Sequence, residues 1–512
     1  MFNRIGVIGA GAMGRGIAQL FASSGQQVLL FDTRAEAIED ALTFNRNLLQ
    51  RQVAKGKISE DQFAAINARM QPAAELTQLQ DCDLIIEAIV EILEVKQKLF
   101  TDLEAIVNED CLLATNTSSL SVTQIAAGCN RPERVAGFHF FNPVPLMKIV
   151  EVVRGSRTDE RYIKGLVELA EKAGHFPAIT PDTPGFLVNH AGRAFGTEAL
   201  RILSEGVATS QQIDRILRDG PGFRMGPFEL FDLTGLDVSH AVMESVYEQF
   251  YHDPRYTPSF IAGQRVAAGL LGRKTGQGFY RYEEGQKIEQ AEPTPETVLL
   301  NRPYWLQTDD HALRSQVAQV LTSAGATLES GDQPSAEASG LSTPLGEDCT
   351  AALTRQQLPA TRTLALDSFA NWDKRRTLMR QPAADANVVA QARQALGADG
   401  VPVEVINDSP GFVIQRLIAS VVNLGCEIAQ KGIATPATLD RAIQLALGYP
   451  NGPLAFGELY GKQEILTVLN NMQAVYGEPR YRPSPWLRRR VQLDLPLPPP
   501  ESQEYPHDCL YL

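Results

Sequence analysis

A histidine and a glutamate twelve residues apart are the pair best suited to proton transfer in this sequence. His139 follows the apolar run Val135 to Phe138, and Glu151 lies in a later apolar strand. A neutral imidazole can accept a proton near neutral pH, and a carboxylate bonded to its other nitrogen fixes the tautomer and stabilises the imidazolium. A carboxylate within an apolar strand is costly unless it has such a partner. The pair therefore predicts a general base, His139, that is oriented by Glu151.

Two further segments carry polar side chains that suit a substrate oxygen. Ser118 belongs to Asn116-Thr-Ser-Ser119, which follows a predicted strand end, and Asn189 closes the run Asp182-Thr-Pro-Gly-Phe-Leu-Val-Asn189. Open α/β sheets bind ligands where their strands end. Taken one at a time, these residues have structural explanations: a core histidine, a strand glutamate, a serine cap and a surface asparagine. They become a catalytic hypothesis only together with a nucleotide site.

A glycine-rich loop near the N-terminus has the form of such a site. The short apolar strand Ile5 to Ile8 leads into Gly9-Ala-Gly11-Ala-Met-Gly14, and a helical pattern follows. In a dinucleotide-binding loop the three glycines allow the tight turn, the approach of a pyrophosphate and close helix packing. The N-terminus of the helix then attracts the phosphates. By itself the motif is also consistent with a glycine turn that binds nothing.

The segments after the loop favour the nucleotide interpretation. Gln27 to Phe31 is a second apolar strand, and Asp32 follows it where a Rossmann unit places an acid against the ribose hydroxyls. A carboxylate there repels a 2′-phosphate, which favours NAD over NADP. Further strands are predicted at 84–86, 112–115 and 135–138, with a helix at 95–107 between two of them. This alternation predicts a mostly parallel sheet.

The run from Gly137 to Glu151, Gly-Phe-His-Phe-Phe-Asn-Pro-Val-Pro-Leu-Met-Lys-Ile-Val-Glu, resembles the signature of the L-3-hydroxyacyl-CoA dehydrogenase family. The resemblance covers residues 1 to about 282 and implies NAD-dependent oxidation of the 3-hydroxyl of a coenzyme A thioester. It implies catalytic roles for His139, Glu151, Ser118 and Asn189, with Ser118 also contacting substrate. It implies cofactor contacts at Gly9, Ala10, Gly11, Ala12, Met13, Gly14, Asp32, Glu91, Lys96, Asn142 and Lys274. Lys55, in Val53-Ala-Lys-Gly-Lys57, resembles the family's contact to coenzyme A.

The sequence also contains an internal repeat. The run from Asp182 to Asn189 recurs as Asp408-Ser-Pro-Gly-Phe-Val-Ile-Gln415, a shift of 226 residues, and Gly-Val-Ala-Thr209 recurs as Gly-Ile-Ala-Thr435. This pattern predicts a duplicated helical domain, which in the family resembles that of 6-phosphogluconate dehydrogenase. The second copy has Gln415 in place of Asn189, no histidine in the run that ends at Asp367, and no second glycine loop. One active site is therefore expected.

The expected fold is an α/β Rossmann domain followed by all-α domains, with the helical domain duplicated. The expected boundaries are 1–182 for the NAD-binding domain, 183–285 for the first helical domain, 286–404 for a reduced Rossmann-like remnant or linker, 405–492 for the second helical repeat and 493–512 for a Pro-rich tail. Because short family members dimerise through the helical domain, the second copy is expected to bury the same apolar face within one chain. Further association into a homo-oligomer remains open.

Composition excludes several classes of partner. A net charge of −13 across 512 residues argues against nucleic acid, which requires basic residues to neutralise phosphates. No apolar stretch reaches the roughly 18 residues of a membrane span, and Leu417 to Ala429 is expected to be a buried helix. The N-terminal strand leaves no room for a signal peptide, so a cytoplasmic protein is expected. The six cysteines form no C-x-x-C pair, so reduced thiols and no metal site are expected.

The acyl chain is the least determined part of the function. The long architecture resembles the 3-hydroxyadipyl-CoA dehydrogenases of phenylacetate degradation. Arg193 lies four residues after Asn189 on a predicted helix, hence on the same face, where it would pair with a terminal carboxylate of the substrate. A structural ion pair with Glu198 or a neighbour is the alternative. A 3-hydroxybutyryl-CoA dehydrogenase and a non-catalytic nucleotide-binding relative are the competing functions.

Overall fold

The glycine-rich loop connects the first strand of a large sheet to the first helix of the chain. The computed structural model describes residues 2–288, 291–292 and 297–498. The sheet has eight strands in the order β3-β2-β1-β4-β5-β6-β7-β8, and among these only β6 and β7 pair antiparallel. Its strands are β1 Arg4–Ile8, β2 Gln27–Phe31, β3 Met70–Pro72, β4 Leu84–Glu87, β5 Leu112–Thr115, β6 Val135–Phe140, β7 Ile149–Arg154 and β8 Phe176–Pro181.

Helices cover both faces of this sheet, which explains why its central strands read as continuous apolar runs. Two buried clusters result: one contains Ile5, Val7 and Leu30, and the other contains Ile85 and Leu113. The helices of this part are α1 Ala12–Ser23, α2 Ala35–Ala54, α3 Glu60–Arg69, α4 Leu93–Glu104, α5 Val122–Ala126, α6 Glu160–Lys172 and α7 Val188–Ala191. Residues 2–190 and 431–447 together form the first of two compact units.

The second unit comprises residues 191–430 and 448–498 of the described chain. It begins with the helices α8 Arg193–Ser204, α9 Ser210–Asp219, α10 Pro227–Thr234, α11 Leu236–Gln249 and α12 Phe260–Ala267 and a small hairpin of β9 Tyr282–Glu283 and β10 Gln286–Lys287. The remaining helices of the chain are α13 His311–Ser323, α14 Cys349–Gln356, α15 Ala386–Ala395, α16 Ile414–Gln430, α17 Pro436–Leu447, α18 Pro453–Leu459, α19 Lys462–Tyr476 and α20 Pro485–Gln492. Of these, α17 belongs to the first unit, where it packs against β7 and β8.

A second sheet lies between the two helical copies in the sequence. Its six strands are β11 Tyr304–Gln307, β12 Leu328–Glu329, β13 Ser339–Ser342, β14 Thr363–Leu366, β15 Arg376–Arg380 and β16 Val403–Asn407. The order is β12-β11-β13-β14-β15-β16, and the one antiparallel pair among them, β14 with β15, occupies the place that β6 with β7 occupies in the first sheet. The expected fold class, a Rossmann domain with helical domains, is confirmed. The second sheet occupies most of residues 286–404, for which a reduced Rossmann-like remnant or a linker was expected.

The two helical copies meet within the second unit through a buried charge network. Helix α8 packs against α16, and Arg416 of α16 is fully buried with its guanidinium 2.6 Å from Glu198 of α8. Arg480 also pairs with Glu198. Arg480 belongs to Pro479-Arg-Tyr481, which repeats Pro254-Arg-Tyr256 of the first copy, a further match that the sequence analysis missed. A charged contact of this kind fixes one packing of the two helices, because an unpaired buried charge is costly.

Three expectations about individual segments have clear outcomes. Leu417 to Ala429 lies within the buried helix α16, as predicted. The continuous helix expected from Asn189 to Arg193 is wrong, because Gly192 separates α7 from α8. Across the described ranges, none of the helices is long and apolar enough to cross a membrane. Pro499, Pro500 and Cys509 of the Pro-rich tail lie outside the described residues.

Candidate active site

His139 and Glu151 face each other across the antiparallel pair of the first sheet. They are directly opposed in the register of β6 and β7, so their side chains project from the same face. The Nδ1 atom of His139 lies 2.6 Å from Oε2 of Glu151, and the glutamate side chain is fully buried. The imidazole is 7 % exposed and lies 4.5 Å from the Phe141 ring, between centroids. This geometry leaves Nε2 of His139 as the nitrogen that can exchange a proton with a substrate.

The second oxygen of Glu151 is also engaged. Its Oε1 accepts hydrogen bonds of 2.8 Å from the backbone amides of Leu187 and Val188. A tight turn delivers these amides, since Gly185 and Phe186 both have left-handed backbone conformations, with φ of 72° and 49°. The Asp-Thr-Pro-Gly-Phe run therefore places two backbone amides where they bond to the Glu151 side chain and fix its orientation.

Ser118 and Asn189, the other two proposed catalytic residues, contact each other. The Nδ2 atom of Asn189 donates to the carbonyl oxygen of Ser118 over 3.2 Å. Ser118 follows β5, and its neighbour Asn116 accepts a hydrogen bond of 2.8 Å from the amide of Phe140, which links this loop to the end of β6. The loop after β5 is thus joined to the strand that carries the histidine and to the segment that carries the asparagine.

The glycine loop is shaped for close approach by a ligand. Gly9 has φ of 100°, and a Cβ on Gly14 would lie 1.7 Å from the carbonyl oxygen of Gly9, so both positions require glycine. A Cβ on Gly11 would meet nothing within 4 Å, so its side faces open space at the N-terminus of α1. Asp32 accepts hydrogen bonds from the amides of Ala10, at 2.8 Å, and Arg34, at 3.0 Å. The loop therefore fits a pyrophosphate at Gly11 and a ribose near Asp32.

Glu91 and Lys96, which the family resemblance assigns to the cofactor, bond to protein groups in this structure. The Lys96 side chain is 1 % exposed, and its Nζ lies 2.5 Å from Glu87 and 3.2 Å from Glu91. Burial raises the pKa of Glu91, but Lys96 and donors from the loop after β5 outweigh it, so the pKa lies below its usual value. Both carboxylates therefore surround one buried ammonium group.

The remaining candidates lie in four other segments of the chain. Asn142 is exposed just after β6, and Lys55 is exposed at the C-terminal end of α2. Lys274 belongs to the second unit, where its ammonium lies 2.6 Å from Asp237. Arg193 begins α8, and burial lowers its pKa to about 10, so it is still protonated at neutral pH. Glu198, its suggested partner, is engaged by Arg416 and Arg480.

The corresponding position of the second sheet carries a different set of groups. Asp367 is the fifth residue from the start of β14, as His139 is from the start of β6, and its amide bonds to the carbonyl oxygen of Thr377 on β15. Its Oδ1 accepts from Gln415, the counterpart of Asn189, over 3.0 Å. Leu345 lies in the loop where the first copy has Ser118. The second copy thus lacks a proton acceptor paired with a carboxylate, which agrees with a single active site.

Comparison with known proteins places this arrangement in a family. The model of the 3-hydroxyacyl-CoA dehydrogenase NAD binding domain matches residues 4–183, and the model of the C-terminal domain of the same enzymes matches residues 185–282 and again 411–496. The chain belongs to the 3-hydroxyacyl-CoA dehydrogenase family. It carries the NAD-binding domain of that family and, in the second match, the repeat that the sequence revealed.

Several relatives match over different lengths. The 3-hydroxyadipyl-CoA dehydrogenase of Escherichia coli K12 is 38 % identical over 96 % of this chain and 98 % of its own length. A crystal structure named 3-hydroxybutyryl-CoA dehydrogenase, from Escherichia coli K12, has a TM-score of 0.82 and 38 % identity, covering 96 % of this chain and 99 % of that one. A 3-hydroxybutyryl-CoA dehydrogenase of Clostridioides difficile is 41 % identical, but it covers 55 % of this chain and 100 % of itself. The long form is thus shared with the first two.

The structure also reveals supporting residues that sequence reasoning missed. Asp182 accepts from the hydroxyl of Ser121 and from the amides of Val122 and Thr123, and so caps the N-terminus of α5 just after the Ser118 loop. Glu87, buried at the end of β4, joins Lys96 to Thr115 of β5. The repeated aspartate at position 408 was a usable signal for Asp182. Glu87 gave no signal of its own, because it ends an apolar run like any strand-terminal polar residue.

Proposed function

We propose that this protein oxidises an L-3-hydroxyacyl-CoA to the 3-oxoacyl-CoA with NAD, and that (3S)-3-hydroxyadipyl-CoA, an intermediate of phenylacetate catabolism, is its substrate. The observation that carries the reaction is the 2.6 Å contact between His139 Nδ1 and Glu151 Oε2, with Oε1 held by two amides. The long relative from Escherichia coli supports the choice of substrate.

In the proposed reaction, His139 acts as the general base. Its Nε2 takes the proton of the 3-hydroxyl group, while Glu151 holds the tautomer and stabilises the imidazolium that forms. Bound NAD would supply the hydride acceptor for the hydrogen on carbon 3. Ser118 and Asn189 hold the oxygen that becomes the ketone, Ser118 through its hydroxyl and Asn189 through its amide. These four residues form the proposed catalytic set.

The proposed cofactor site follows the glycine loop and its neighbours. Gly9 to Gly14 would hold the pyrophosphate and Asp32 the adenosine ribose. Glu91, Lys96, Asn142 and, in the second unit, Lys274 are proposed as further contacts. The open side of Gly11 supports the first assignment, and the two amides already bonded to Asp32 support its fixed orientation. Lys55 is proposed as a contact to coenzyme A.

The proposed domain boundaries are those expected from the sequence: 1–182, 183–285, 286–404, 405–492 and 493–512. The family matches at 4–183, 185–282 and 411–496 support the first, second and fourth. The strands between 304 and 407 support an α/β remnant over a linker for the third. A cytoplasmic location is also proposed, supported by the bacterial origin of the long relative.

Absorbance at 340 nm tests this function. The purified chain is supplied with NAD or NADP and with the hydroxyadipyl, hydroxyhexanoyl and hydroxybutyryl thioesters. We expect NADH formation with NAD, little reduction of NADP, and the highest kcat/KM for the adipyl substrate. The highest value for the butyryl thioester would favour the short-chain alternative. No NADH from any thioester would favour the non-catalytic relative.

Arg193 is proposed to select the adipyl chain by pairing with its distal carboxylate. Its guanidinium is charged at neutral pH even though burial lowers its pKa to about 10. We expect Arg193→Ala to lower kcat/KM for the adipyl thioester about tenfold or more while leaving that for the hexanoyl thioester nearly unchanged, since a lost charged hydrogen bond costs about 1.5–3 kcal/mol. An unchanged ratio of the two values would contradict this role.

A further inference from the structure

Tyr449 is a buried tyrosine of the second helical copy, and its hydroxyl has no hydrogen-bond partner among the residues that the structure describes. It follows α17 in the chain and belongs to the second unit. Its ring packs against Phe195 of α8, with 5.5 Å between the centroids. A buried hydroxyl without a partner costs free energy that a phenylalanine at the same place avoids. The Tyr449 hydroxyl is therefore a candidate for a bond to a ligand.

The first copy shows that packing at this position needs no hydroxyl. Phe223 is the counterpart of Tyr449, because a glycine precedes each of them and a Gly-Pro pair begins three residues after each. The two glycines, Gly222 and Gly448, both have left-handed backbones, with φ of 85° and 67°. The Phe223 and Tyr449 rings meet edge to face, with 4.9 Å between their centroids. Since Phe223 fills its place in this cluster without an oxygen, packing does not explain the hydroxyl of Tyr449.

Arg193 is the charged group that acts on Tyr449. It begins α8, two residues before Phe195, and it is only partly buried by surface area. Burial raises the pKa of the Tyr449 hydroxyl, and the Arg193 charge lowers it. The two groups interact without a direct hydrogen bond, because the Tyr449 hydroxyl makes none within the described ranges. A small acceptor between them can therefore accept from both.

A carboxylate is the acceptor that suits this pair best. Its two oxygens accept several hydrogen bonds, and its negative charge compensates a desolvated guanidinium, which a water molecule does not. The methyl end of a monocarboxylic acyl chain supplies neither the acceptor nor the charge. A dicarboxylic acyl chain supplies both.

We propose that Tyr449 is a specificity-determining residue, whose hydroxyl donates to the terminal carboxylate of a dicarboxylic acyl chain beside Arg193. This inference rests on the proposed function, which assigns the same carboxylate to Arg193. The second copy then has a role in substrate recognition as well as in packing, since it provides a hydroxyl that the first copy lacks at the equivalent position.

Tyr449→Phe tests the proposal, because it removes one oxygen and introduces the residue of the first copy. Tyr304→Phe is the matched control, since Tyr304 is also buried in the second unit and its hydroxyl likewise lacks a partner in the described part of the chain. We expect Tyr449→Phe to lower kcat/KM for the hydroxyadipyl thioester about tenfold, with that for the hydroxyhexanoyl thioester unchanged. Tyr304→Phe should change neither. A ratio of the two values equal to that of the parent in Tyr449→Phe would overturn the proposal.

The Tm of the same variants separates recognition from a structural role. Loss of a buried hydroxyl that bonds to nothing in the protein should leave Tm at or above that of the parent, in Tyr449→Phe as in Tyr304→Phe. A Tm lowered by several degrees in Tyr449→Phe alone would show that the hydroxyl bonds within the protein, which contradicts its assignment to a substrate.

A double-mutant cycle tests whether Tyr449 and Arg193 hold the same carboxylate. In an Arg193→Ala background, loss of the Tyr449 hydroxyl should change kcat/KM for the hydroxyadipyl thioester by less than about threefold, because the carboxylate is no longer held beside it. A full tenfold loss in both backgrounds would contradict a shared site.

Binding of adipyl-CoA and hexanoyl-CoA, which have no 3-hydroxyl group to oxidise, supplies a measurement that does not depend on turnover. We expect the parent to bind adipyl-CoA more tightly, and Tyr449→Phe to reduce this preference about tenfold. A preference that the variant keeps would overturn the inference and leave the proposed substrate in place. A preference that the variant loses, in a protein that oxidises no thioester, would support the inference and contradict the proposed reaction. Equal binding of both thioesters by the parent would contradict both.

Discussion

Glu151 decides which ring nitrogen of His139 carries the proton. As a carboxylate it accepts at Oε2 from Nδ1 of His139 and at Oε1 from the amides of Leu187 and Val188. All three partners are donors, which is the arrangement that leaves Nε2 unprotonated and able to act as a base. The tautomer of His139 is therefore set by a fully buried protein group.

Glu151→Gln should separate this effect from simple loss of packing. The amide has the volume of the carboxylate, but its NH₂ group must face either His139 or the amides of Leu187 and Val188. The first orientation imposes the wrong tautomer, and the second opposes donors to donors. We expect kcat to fall on the order of 1000-fold, within the range attributed to general base catalysis and its orienting acid.

The control for this variant is the affinity for NADH, measured by fluorescence, together with Tm. Both should stay close to the parent if the change acts through His139. A kcat within about threefold of the parent would show that the carboxylate does not matter to a general base.

At the scale of elements, the loop between β1 and α1 offers a test of the cofactor site. A Cβ at position 11 meets nothing within 4 Å, whereas a Cβ at position 14 would collide with Gly9. Gly11→Ala should therefore keep the Tm of the parent but weaken NADH binding about tenfold or more, because it fills the space through which a pyrophosphate approaches. Gly14→Ala should lower both. Parent-like NADH affinity in Gly11→Ala would contradict the assignment.

The internal repeat supplies a matched pair for α5, the helix that follows the Ser118 loop. Asp182 caps α5 and Asp408 caps α14 in the same way, through the amides of Cys349 and Thr350. Loss of such a cap costs about 0.5–2 kcal/mol. We expect Asp182→Ala and Asp408→Ala to lower Tm by similar amounts, while only Asp182→Ala lowers kcat. Equal activity of the two variants would contradict a role of α5 in the site.

The strands of the first sheet were predictable because they are apolar, separated by helical patterns and buried on both faces. Gln27–Phe31 and Leu112–Thr115 match their predicted bounds. The second sheet was not readable, since Ser339–Ser342 is a fully buried strand of small and polar residues. Such a strand is buried by the elements packed around it. Its own sequence shows neither an apolar run nor an alternation of apolar and polar residues from which a strand could be predicted.

The candidate site shows the same division. The motif residues His139, Ser118 and Asn189 stand out by type and spacing, and the structure brings the last two into contact. The buried pair of Lys96 with Glu87 depends on side chains that meet only after β4 and α4 have packed. The break at Gly192 was missed because a glycine inside a helical pattern is usually tolerated.

Across the whole molecule, a comparison of the two copies separates the residues that both contain from those that only the first contains. The aspartate cap and the Pro-Gly-Phe turn occur in both copies, whereas His139, Glu151 and Ser118 occur in one. These three residues, which only the first copy has, belong to the proposed catalytic set. The second copy contains the same elements, but a buried hydrogen bond between Gln415 and Asp367 lies at the position that corresponds to the catalytic residues.

Asp367, at the position in the second copy that corresponds to His139, makes the stability of the folded protein depend on pH. Burial raises its pKa from 3.8 to about 7, and the groups that bond to its Oδ1, the amide of Phe369 and Gln415, are neutral. The folded protein therefore holds a proton that the unfolded chain releases. Stability from this group is complete below the unfolded pKa of 3.8 and is lost as pH rises towards 7, a change on the order of 4 kcal/mol.

Asp367→Asn should remove this dependence, because the amide cannot ionise and keeps an acceptor for both donors. We expect the Tm of the parent to fall relative to that of Asp367→Asn between pH 5 and 7, measured by calorimetry, with the variant the more stable at pH 8. Asp373→Asn, at an exposed carboxylate of the same connection, should follow the parent. Parallel curves for the parent and Asp367→Asn would show that Asp367 is ionised in the folded state.

The most direct measurement for the whole account is the turnover of a folded His139→Gln variant with a 3-hydroxyacyl thioester and NAD, followed at 340 nm. If the imidazole is the base, kcat falls by a factor of about 100 to 10,000 while NADH binds as tightly as to the parent. Parent-like turnover by a folded variant would mean that the proton leaves by another route, and that the contact with Glu151 is only part of the fold.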